Sequence, residues 1–414
     1  MSDKSAKRIG IFGFGCVGQG LYDVLQDNQR LEVARICVRD KEKLRALPSS
    51  IFTYDPQELL QDESIDLFAE LISDPAEALF IVRQALKAGK TVVSANKKMV
   101  SENLQELVEL QLQCGGVLLY EAAVGGSIPI LRTLEAYYGS EPLQEVNGIL
   151  NGSSNYILSK LDAEGSSFQE ALEQAQALGF AEADPTLDVE GFDAAHKISI
   201  VAAHAFGAIV QPQDILRFGI SSVTRKDIGL AQALGARIRL VASAKLNQLG
   251  TLEVQVLPTF VYPDSELYYV NAEFNGVQLE AKFAGSQFLK GRGAGSHPTG
   301  SAVWADVSAA LEGYKYQYPK LHTAAAPDLG ENVGLKVYLR TENPELLPCL
   351  PWEELTSFGV DAQVAQLIGV IRRKDLLAYQ VQLQELGVFV AQVPVNISVD
   401  ELVRGTRLAA AEVA

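Results

Sequence analysis

The chain has 414 residues, of which 48% are hydrophobic and 21% charged, and its formal net charge at pH 7 is −16. At about 150 residues per domain this length predicts two to three domains, and the composition excludes disordered and fibrous classes. The acidic excess, with no basic block, argues against nucleic acids and anionic membranes as partners. We therefore expect small-molecule partners or a second copy of the chain.

Membrane insertion and export are not expected. The longest apolar stretch covers only 198–210, whereas a spanning helix needs about 20 residues. The N-terminus lacks the apolar core of a signal peptide, so we expect a cytoplasmic protein. Cys16, Cys37, Cys114 and Cys349 show no CxxC spacing, and we predict buried free thiols without a disulfide or zinc site.

The first part of the chain alternates β-rich runs with helical patterns. Strands are predicted at 9–13, 31–38, 67–71, 91–94 and 117–120. Strands separated by helices need crossover connections, so we expect an α/β fold with a mostly parallel, doubly wound sheet of the Rossmann type. This dinucleotide-binding domain is predicted over 1–130, completed by 299–330.

The remaining sequence predicts two further units. Helices at 128–138, 168–178 and 192–208 mix with strands at 146–150, 236–244 and 252–261, which indicates an α+β domain over 131–298. Beyond it, strands at 335–340, 365–371 and 387–393 predict a small α/β module over 335–414.

A glycine-rich loop follows the first predicted strand and opens a helical pattern. Its sequence, Gly13-Phe14-Gly15-Cys16-Val17-Gly18, has the spacing G-x-G-x-x-G. In that spacing Gly13 allows a tight turn, Gly15 lets the backbone approach a pyrophosphate, and Gly18 lets the helix pack on the strand. The context favours dinucleotide binding, with a structural glycine turn as the alternative.

Arg39 and Asp40 end the second predicted strand, about 20 residues beyond the loop. An acidic side chain there binds the 2′-hydroxyl of NAD, and an arginine binds the 2′-phosphate of NADP. Arg39 favours NADP, but an exposed run of alternating charges explains the same residues. The choice between NAD and NADP stays open.

Asp193 and Lys197 are four residues apart on one face of a predicted helix. Such a pair is usually an exposed salt bridge. The apolar run 198–210 indicates instead that this helix is largely buried; it includes His204, which we predict to be a core residue. Burying charged side chains costs free energy, so a charged pair on a buried helix suggests a function. A nicotinamide cofactor would carry a hydride and leave the protein to supply a proton donor.

Six stretches, in order over residues 8–311, resemble the homoserine dehydrogenase family. They are the Gly13 loop, 95–98, 121–130, 148–158, 181–197 and 291–295. The resemblance implies reversible reduction of L-aspartate 4-semialdehyde to L-homoserine with NADPH or NADH, a step toward threonine, isoleucine and methionine.

The resemblance also implies roles for individual residues. Lys197 would protonate the developing alkoxide, Lys97 would assist beside the substrate and the nicotinamide, and Asp193 would orient this group. The substrate's ammonium end would bind Glu182 and Asp188. Cofactor contacts would fall on Gly13, Gly15, Val17, Gly18, Arg39, Lys97 and Gly293, and a sodium ion on the backbone carbonyls of Glu121, Val124 and Gly126.

For the assembly, the resemblance implies a homodimer through the second domain and a C-terminal ACT-like module. Residues 343–346 lack the family's glycine-leucine turn, so threonine feedback is not expected. No kinase region precedes residue 8, so the chain should be monofunctional. The alternatives are another amino-acid or semialdehyde dehydrogenase and a non-catalytic dinucleotide-binding regulator. The intact set of Glu182, Asp188, Asp193 and Lys197 favours an enzyme.

Overall fold

The structure is a computed structural model that describes residues 6–26, 28, 30–323, 326–360 and 364–394. The chain divides into two compact units. The first comprises Met1–Ser140, Ser199–Gln211 and Gly291–Ala324, and the second comprises Glu141–Ile198, Pro212–Lys290 and Ala325–Ala414. The end of the predicted C-terminal module, 395–414, lies outside the described residues.

The described α-helices are numbered in chain order. They are α1 Cys16–Leu25, α2 Pro56–Leu60, α3 Pro75–Lys87, α4 Lys97–Cys114, α5 Ile130–Ala136, α6 Gly152–Glu164, α7 Phe168–Ala177, α8 Thr186–Val189, α9 Phe192–Phe206, α10 Arg225–Ala233, α11 Ser296–Leu311, α12 Pro319–Thr323 and α13 Arg373–Glu385. Within the described ranges, no helix is long and apolar enough to cross a membrane.

A parallel sheet forms the centre of the first unit. Its strands are β1 Lys7–Phe12, β2 Leu31–Cys37, β3 Phe52–Thr53, β4 Leu67–Glu70, β5 Thr91–Ser94 and β6 Val117–Leu119, in the order β3-β2-β1-β4-β5-β6. All of these strands pair in parallel. The predicted doubly wound fold is confirmed, with β1 at the point where the strand order reverses. The two-residue strand β3 was not predicted because it is too short to show a pattern.

The second unit contains a mixed sheet. Its strands are β7 Leu143–Ile149, β8 Leu216–Arg217, β9 Arg237–Leu246, β10 Leu252–Val261, β11 Phe274–Ala281, β12 Gly285–Arg292, β13 Gly334–Thr341, β14 Trp352–Val360, β15 Ala365–Arg372 and β16 Phe389–Gln392. The order is β12-β11-β7-β9-β10-β16-β13-β15-β14, with β8 beside β10. The long antiparallel pair of β9 and β10 lies at its centre.

The predicted C-terminal module is continuous with this sheet. Strand β16 pairs in parallel with β10 at Thr259 and Gln392, whereas the sequence suggested a unit of its own. The strands of this segment are β13 to β16, and they lie side by side in the order β16-β13-β15-β14. Their order along the chain is that of a split βαββαβ motif. A 3₁₀ turn, Pro344–Cys349, stands in place of the first helix.

The four cysteines are free thiols. Cys37 is buried as predicted, and Cys114 is partly buried. The prediction of burial is wrong for Cys16 and Cys349, which are exposed. Cys16 is the first residue of α1, directly after the exposed N-cap Gly15 of the glycine-rich loop.

Candidate active site

The glycine-rich loop connects β1 to α1, and its three glycines meet different surroundings. Gly13 has a φ of +95°, and a Cβ there would lie 2.6 Å from the Leu71 carbonyl oxygen. A Cβ on Gly18 would collide with the Gly13 carbonyl. At Gly15 a Cβ would meet nothing within 4 Å. The fold itself therefore needs Gly13 and Gly18, whereas Gly15 leaves open space beside the loop, here called the cradle.

The first turn of α1 borders this cradle. Gly15 is the N-cap and Val17 is the second residue of the helix, so their backbone N–H groups lie where helical N–H groups lack intrahelical acceptors. The helix dipole adds partial positive charge at the same point. The donor set fits a dinucleotide phosphate.

Helix α11 packs closely on α1, a contact that the sequence analysis did not predict. A Cβ on Gly300 would lie 2.6 Å from the Gly20 backbone, and the Ser296 hydroxyl donates to the Cys16 carbonyl at 2.8 Å. The small residues of α11 were the available signal. This contact fixes the start of α1.

The Arg39 guanidinium is exposed and bound to acidic groups of α3. Its Nη2 lies 2.7 Å from the Glu77 carboxylate and 3.8 Å from Asp74 Oδ2. The Asp74 side chain caps α3 by accepting from the N–H groups of Ala76 and Glu77. Arg39 is therefore held beside the end of β2 by a partner that a 2′-phosphate would have to replace.

Lys97 is the first residue of α4, and a buried network fixes the turn before it. The Asn96 side chain accepts from Met99 N at 3.0 Å and donates to the Ile72 carbonyl at 3.1 Å. Beneath this turn, the Ser94 hydroxyl donates to Glu70 Oε2 at 2.5 Å. Asn96 thus joins the ends of β4 and β5 and sets the start of the helix that carries Lys97.

Glu70 is fully buried at the end of β4. Its second oxygen accepts from Ile72 N at 2.8 Å. Burial raises the pKa of the Glu70 carboxyl to about 7. The sequence analysis missed this residue because one partner, Ser94, ends β5 and the other, Ile72, follows β4.

Glu121 follows β6 and has its carboxylate at the start of α5. It accepts from Leu131 N at 2.8 Å and from Arg132 N at 2.7 Å. Its own N–H donates to Asp306 at 2.8 Å, and Asp306 bonds Arg132 at 2.5 Å. Burial raises the pKa of Glu121 to about 7 and that of Asp306 to about 6.

The turn after Glu121 brings two predicted residues together. Gly126 has a φ of +54°, and a Cβ there would lie 2.6 Å from the carbonyl oxygens of Arg292 and Gly293. Ser127 N donates to the Arg292 carbonyl at 2.9 Å. Gly126 and Gly293 are therefore neighbours in the first unit, although 167 positions separate them.

His204 is buried, as predicted for a core residue, and it bonds two groups. Its Nδ1 lies 2.7 Å from Glu135 Oε1, and its Nε2 lies 2.8 Å from the Tyr120 hydroxyl. Glu135 also accepts from Tyr318 N at 3.1 Å. His204 is a hydrogen-bonded core residue of the first unit.

Lys197 lies on α9, in the second unit, with its ammonium buried. Its Nζ lies 2.7 Å from Asp193 Oδ2, and it donates to the Leu150 carbonyl at 2.7 Å. The side chains of Lys197 and Asp193 are 8% and 4% exposed. The helix begins after Gly191, whose φ of +76° favours glycine. The pair is therefore not an exposed surface salt bridge.

Asp188, on α8, belongs to the same cluster. The Asn151 amide donates to Asp188 Oδ1 at 2.7 Å and to Asp193 Oδ2 at 2.9 Å. Burial, followed by the neighbouring Asp193 charge, raises the pKa of Asp188, while the Asn151 hydrogen bond acts in the opposite direction. The sequence analysis assigned no role to Asn151.

Glu182 is exposed in the loop between α7 and α8. Its backbone carbonyl accepts from the Gln176 amide at 2.9 Å. Its role in substrate binding stays a prediction.

Comparison with known proteins gives consistent matches. A family model described as homoserine dehydrogenase matches residues 129–308, and the model for the NAD binding domain of homoserine dehydrogenase matches 13–121. A homoserine dehydrogenase of Synechocystis sp. is 40% identical over 312 residues, which cover 72% of each chain.

Solved structures are also similar. A homoserine dehydrogenase from Thiobacillus denitrificans has a TM-score of 0.78 and 31% identity, with coverage of 94% of this chain and 98% of that chain. A hyperthermophilic archaeal homoserine dehydrogenase in complex with NADPH has a TM-score of 0.65 and 26% identity, covering 75% and 99% of the respective chains.

Proposed function

This chain belongs to the homoserine dehydrogenase family, and on that premise we propose which of its residues carry out the reaction. It is an NAD(P)-dependent oxidoreductase that acts on a CH–OH group and interconverts L-homoserine and L-aspartate 4-semialdehyde. The similarities do not favour a non-catalytic regulator or a dehydrogenase for another substrate.

Lys197 is assigned as the proton donor. When the aldehyde carbon gains a hydride, its oxygen becomes an alkoxide that must take up one proton to form the hydroxyl of homoserine. A buried ammonium is suited to this step because low polarity strengthens its attraction to the developing negative charge. Asp193 orients the ammonium through their 2.7 Å contact. This buried pair is the observation on which the proposal rests.

Carboxylates would bind the amino end of the substrate. The substrate carries an ammonium group, and Asp188 lies beside the Lys197 cluster through its bond to Asn151. We assign Asp188 and Glu182 to that ammonium group, which a charge-assisted hydrogen bond would hold.

The first unit supplies the cofactor contacts. Bound NAD(P) would supply or accept the hydride. We propose that Gly13, Gly15, Val17 and Gly18 hold its pyrophosphate and that Arg39 binds the 2′-phosphate when the cofactor is NADP. Lys97 and Gly293 would border the nicotinamide end, where Lys97 assists proton transfer. The open space at Gly15 supports this assignment.

We propose that a sodium ion binds at the turn that follows β6. The backbone carbonyls of Glu121, Val124 and Gly126 would hold it, and uncharged oxygens suit a hard monovalent cation. All three residues are buried, and Gly126 needs its left-handed φ to make the turn. The ion would supply a fixed positive charge that stiffens the turn.

We also propose a homodimer formed through the second unit and action in the cytoplasm. The dimer follows from the family resemblance, and the location follows from the sequence-based expectation given above. Sedimentation of the purified protein would test the dimer, and cell fractionation would test the location.

Steady-state kinetics test the proposed reaction. Purified protein should oxidise L-homoserine at alkaline pH, with absorbance rising at the band of the reduced cofactor, and rates with NAD⁺ and NADP⁺ establish the preference. Activity on other alcohols alone would overturn the assigned substrate. Repeating the assay with and without threonine tests whether the βαββαβ segment regulates the enzyme.

A further inference from the structure

The Asn151 side chain contacts two carboxylates at once. Its Nδ2 lies 2.7 Å from Asp188 Oδ1 and 2.9 Å from Asp193 Oδ2. Asn151 is 6% exposed and Asp193 is 4% exposed, so solvent contributes little to the screening of the Asp193 charge, whereas Asp188 is partly buried. The roles assigned above to Asp188 and Asp193 both depend on their being ionised.

The other end of the amide fixes its direction. Asn151 Oδ1 accepts from Ser154 N at 2.8 Å and caps α6. The opposite flip would place an oxygen against two carboxylates and an NH₂ group against a backbone N–H. Only the observed orientation pairs every donor with an acceptor.

The backbone beside Asn151 contacts the same cluster. The Leu150 carbonyl accepts from Lys197, while Asp193 Oδ2 accepts from both Lys197 and Asn151. Residues 150 and 151, directly after β7, therefore contact the ammonium and both carboxylates. A shift of this segment would move all three groups together.

We propose that Asn151 is a positioning residue that lets Asp188 and Asp193 stay charged side by side, so that one holds Lys197 and the other binds the substrate ammonium. The inference rests on the proposed function of Asp188, Asp193 and Lys197. The groups around Asp188 are the charges of Asp193 and Lys197 from α9, the neutral amide of Asn151, and the hydroxyl of Ser153 from α6. The Asn151 amide is the neutral group that donates to Asp188, whereas the Ser153 hydroxyl donates to the Phe180 carbonyl at 2.5 Å.

The test is the pH profile of Asn151→Ser. Serine keeps an oxygen that can cap α6 but removes the amide donor. Loss of a hydrogen bond to a charged group should move the acidic limb of kcat/KM for homoserine upward by about one pH unit. At neutral pH the KM should rise more than kcat falls, and activity should recover at alkaline pH. Asn151→Asp keeps the side-chain shape and the α6 cap but adds a third carboxylate. The acidic limb of its kcat/KM should therefore move to higher pH than in Asn151→Ser.

A matched control separates positioning from helix capping. Ser167 caps α7 through a hydroxyl on an exposed surface, so Ser167→Ala should lower Tm and leave the pH profile unchanged. An Asn151→Ser enzyme with the wild-type limb and KM would overturn the inference, and so would a folded variant that is inactive at every pH. If Asn151→Ser does not fold, the acidic limb of kcat/KM is measured for Asn151→Asp instead, and a wild-type limb in that variant would overturn the inference.

Lys197→Ala, assayed in parallel, separates the two proposals. Full turnover in this variant would contradict the proposed function. Loss of turnover together with a wild-type profile for Asn151→Ser would contradict only the role of Asn151.

Discussion

The Lys197 ammonium lies 2.7 Å from the Asp193 carboxylate one turn earlier in α9, and both side chains are buried. Lys160 and Glu164 on α6 have the same spacing and a 2.6 Å contact, but their side chains are 27% and 50% exposed. An exposed pair contributes well under about 1 kcal/mol to stability, and a buried pair is often no better than apolar residues of the same size. Stability therefore gives little reason for a lysine at position 197, whereas proton transfer gives one.

Lys197→Ala should lower kcat by on the order of 10²-fold or more, because it removes the proposed proton donor. The Kd for NAD(P)H should change little, since the proposed cofactor contacts lie on other residues. Turnover and a cofactor fluorescence titration measure the two effects. Lys160→Ala is the matched control and should keep wild-type turnover. A Lys197→Ala enzyme with full turnover would show that this lysine has a structural role only.

Local patterns were sufficient to predict the doubly wound sheet and the burial of α9. The apolar run 198–210 predicted burial because a helix that is apolar on all sides lies in a core. The bonds from Asn151 to residues 188 and 193 could not be predicted, since they cross 37 and 42 positions and depend on how β7, α8 and α9 pack. Sequence periodicity cannot predict hydrogen bonds between residues so far apart in the chain.

The contact partners of other residues could not be predicted either, because they lie far away in the sequence. His204 was predicted as a core residue, but its bond to Glu135 crosses 69 positions. Gly126 and Gly293 were each predicted as parts of motifs, and only the fold makes them neighbours. Motifs therefore predicted which residue types belong to the candidate site, and tertiary packing determined which of them meet.

Gly15→Ala and Gly18→Ala should have different effects. A Cβ at Gly15 meets nothing within 4 Å, and its φ of −83° suits alanine. We expect its Tm to stay within a few degrees of wild type while NAD(P) affinity falls at least tenfold, because the methyl group would fill the phosphate cradle. Gly18→Ala would push α1 away from the Gly13 carbonyl and should lower both Tm and affinity. Unchanged cofactor affinity in Gly15→Ala would place the pyrophosphate elsewhere.

Arg39→Ala should weaken NADP binding much more than NAD binding, since only NADP offers a 2′-phosphate to the guanidinium. Glu77→Gln should have the opposite effect. It removes the carboxylate that lies 2.7 Å from Arg39 and would repel the phosphate, so NADP affinity should rise severalfold. Isothermal titration with both cofactors measures these changes. Equal losses for the two cofactors in Arg39→Ala would show that Arg39 does not recognise the 2′-phosphate.

Glu70 should make stability depend on pH. Burial raises its pKa in the folded chain to about 7, whereas an unfolded glutamate titrates near about 4.3. Between these values the unfolded state loses its proton first, so this contribution to the free energy of unfolding is present below about pH 4.3 and is lost as the pH rises through 7. Glu70→Gln cannot ionise and should reduce the drop in unfolding free energy between pH 5 and 7.5 by on the order of 3 kcal/mol.

Part of the drop should persist in Glu70→Gln, since the pKa values of Glu121 and Asp306 are raised by burial as well. Urea denaturation at the two pH values gives the comparison, with Glu63→Gln, at an exposed position, as the control. If Glu70→Gln and Glu63→Gln show the same drop as wild type, Glu70 is already ionised at pH 5 and its hydrogen bonds to Ser94 and Ile72 outweigh its burial.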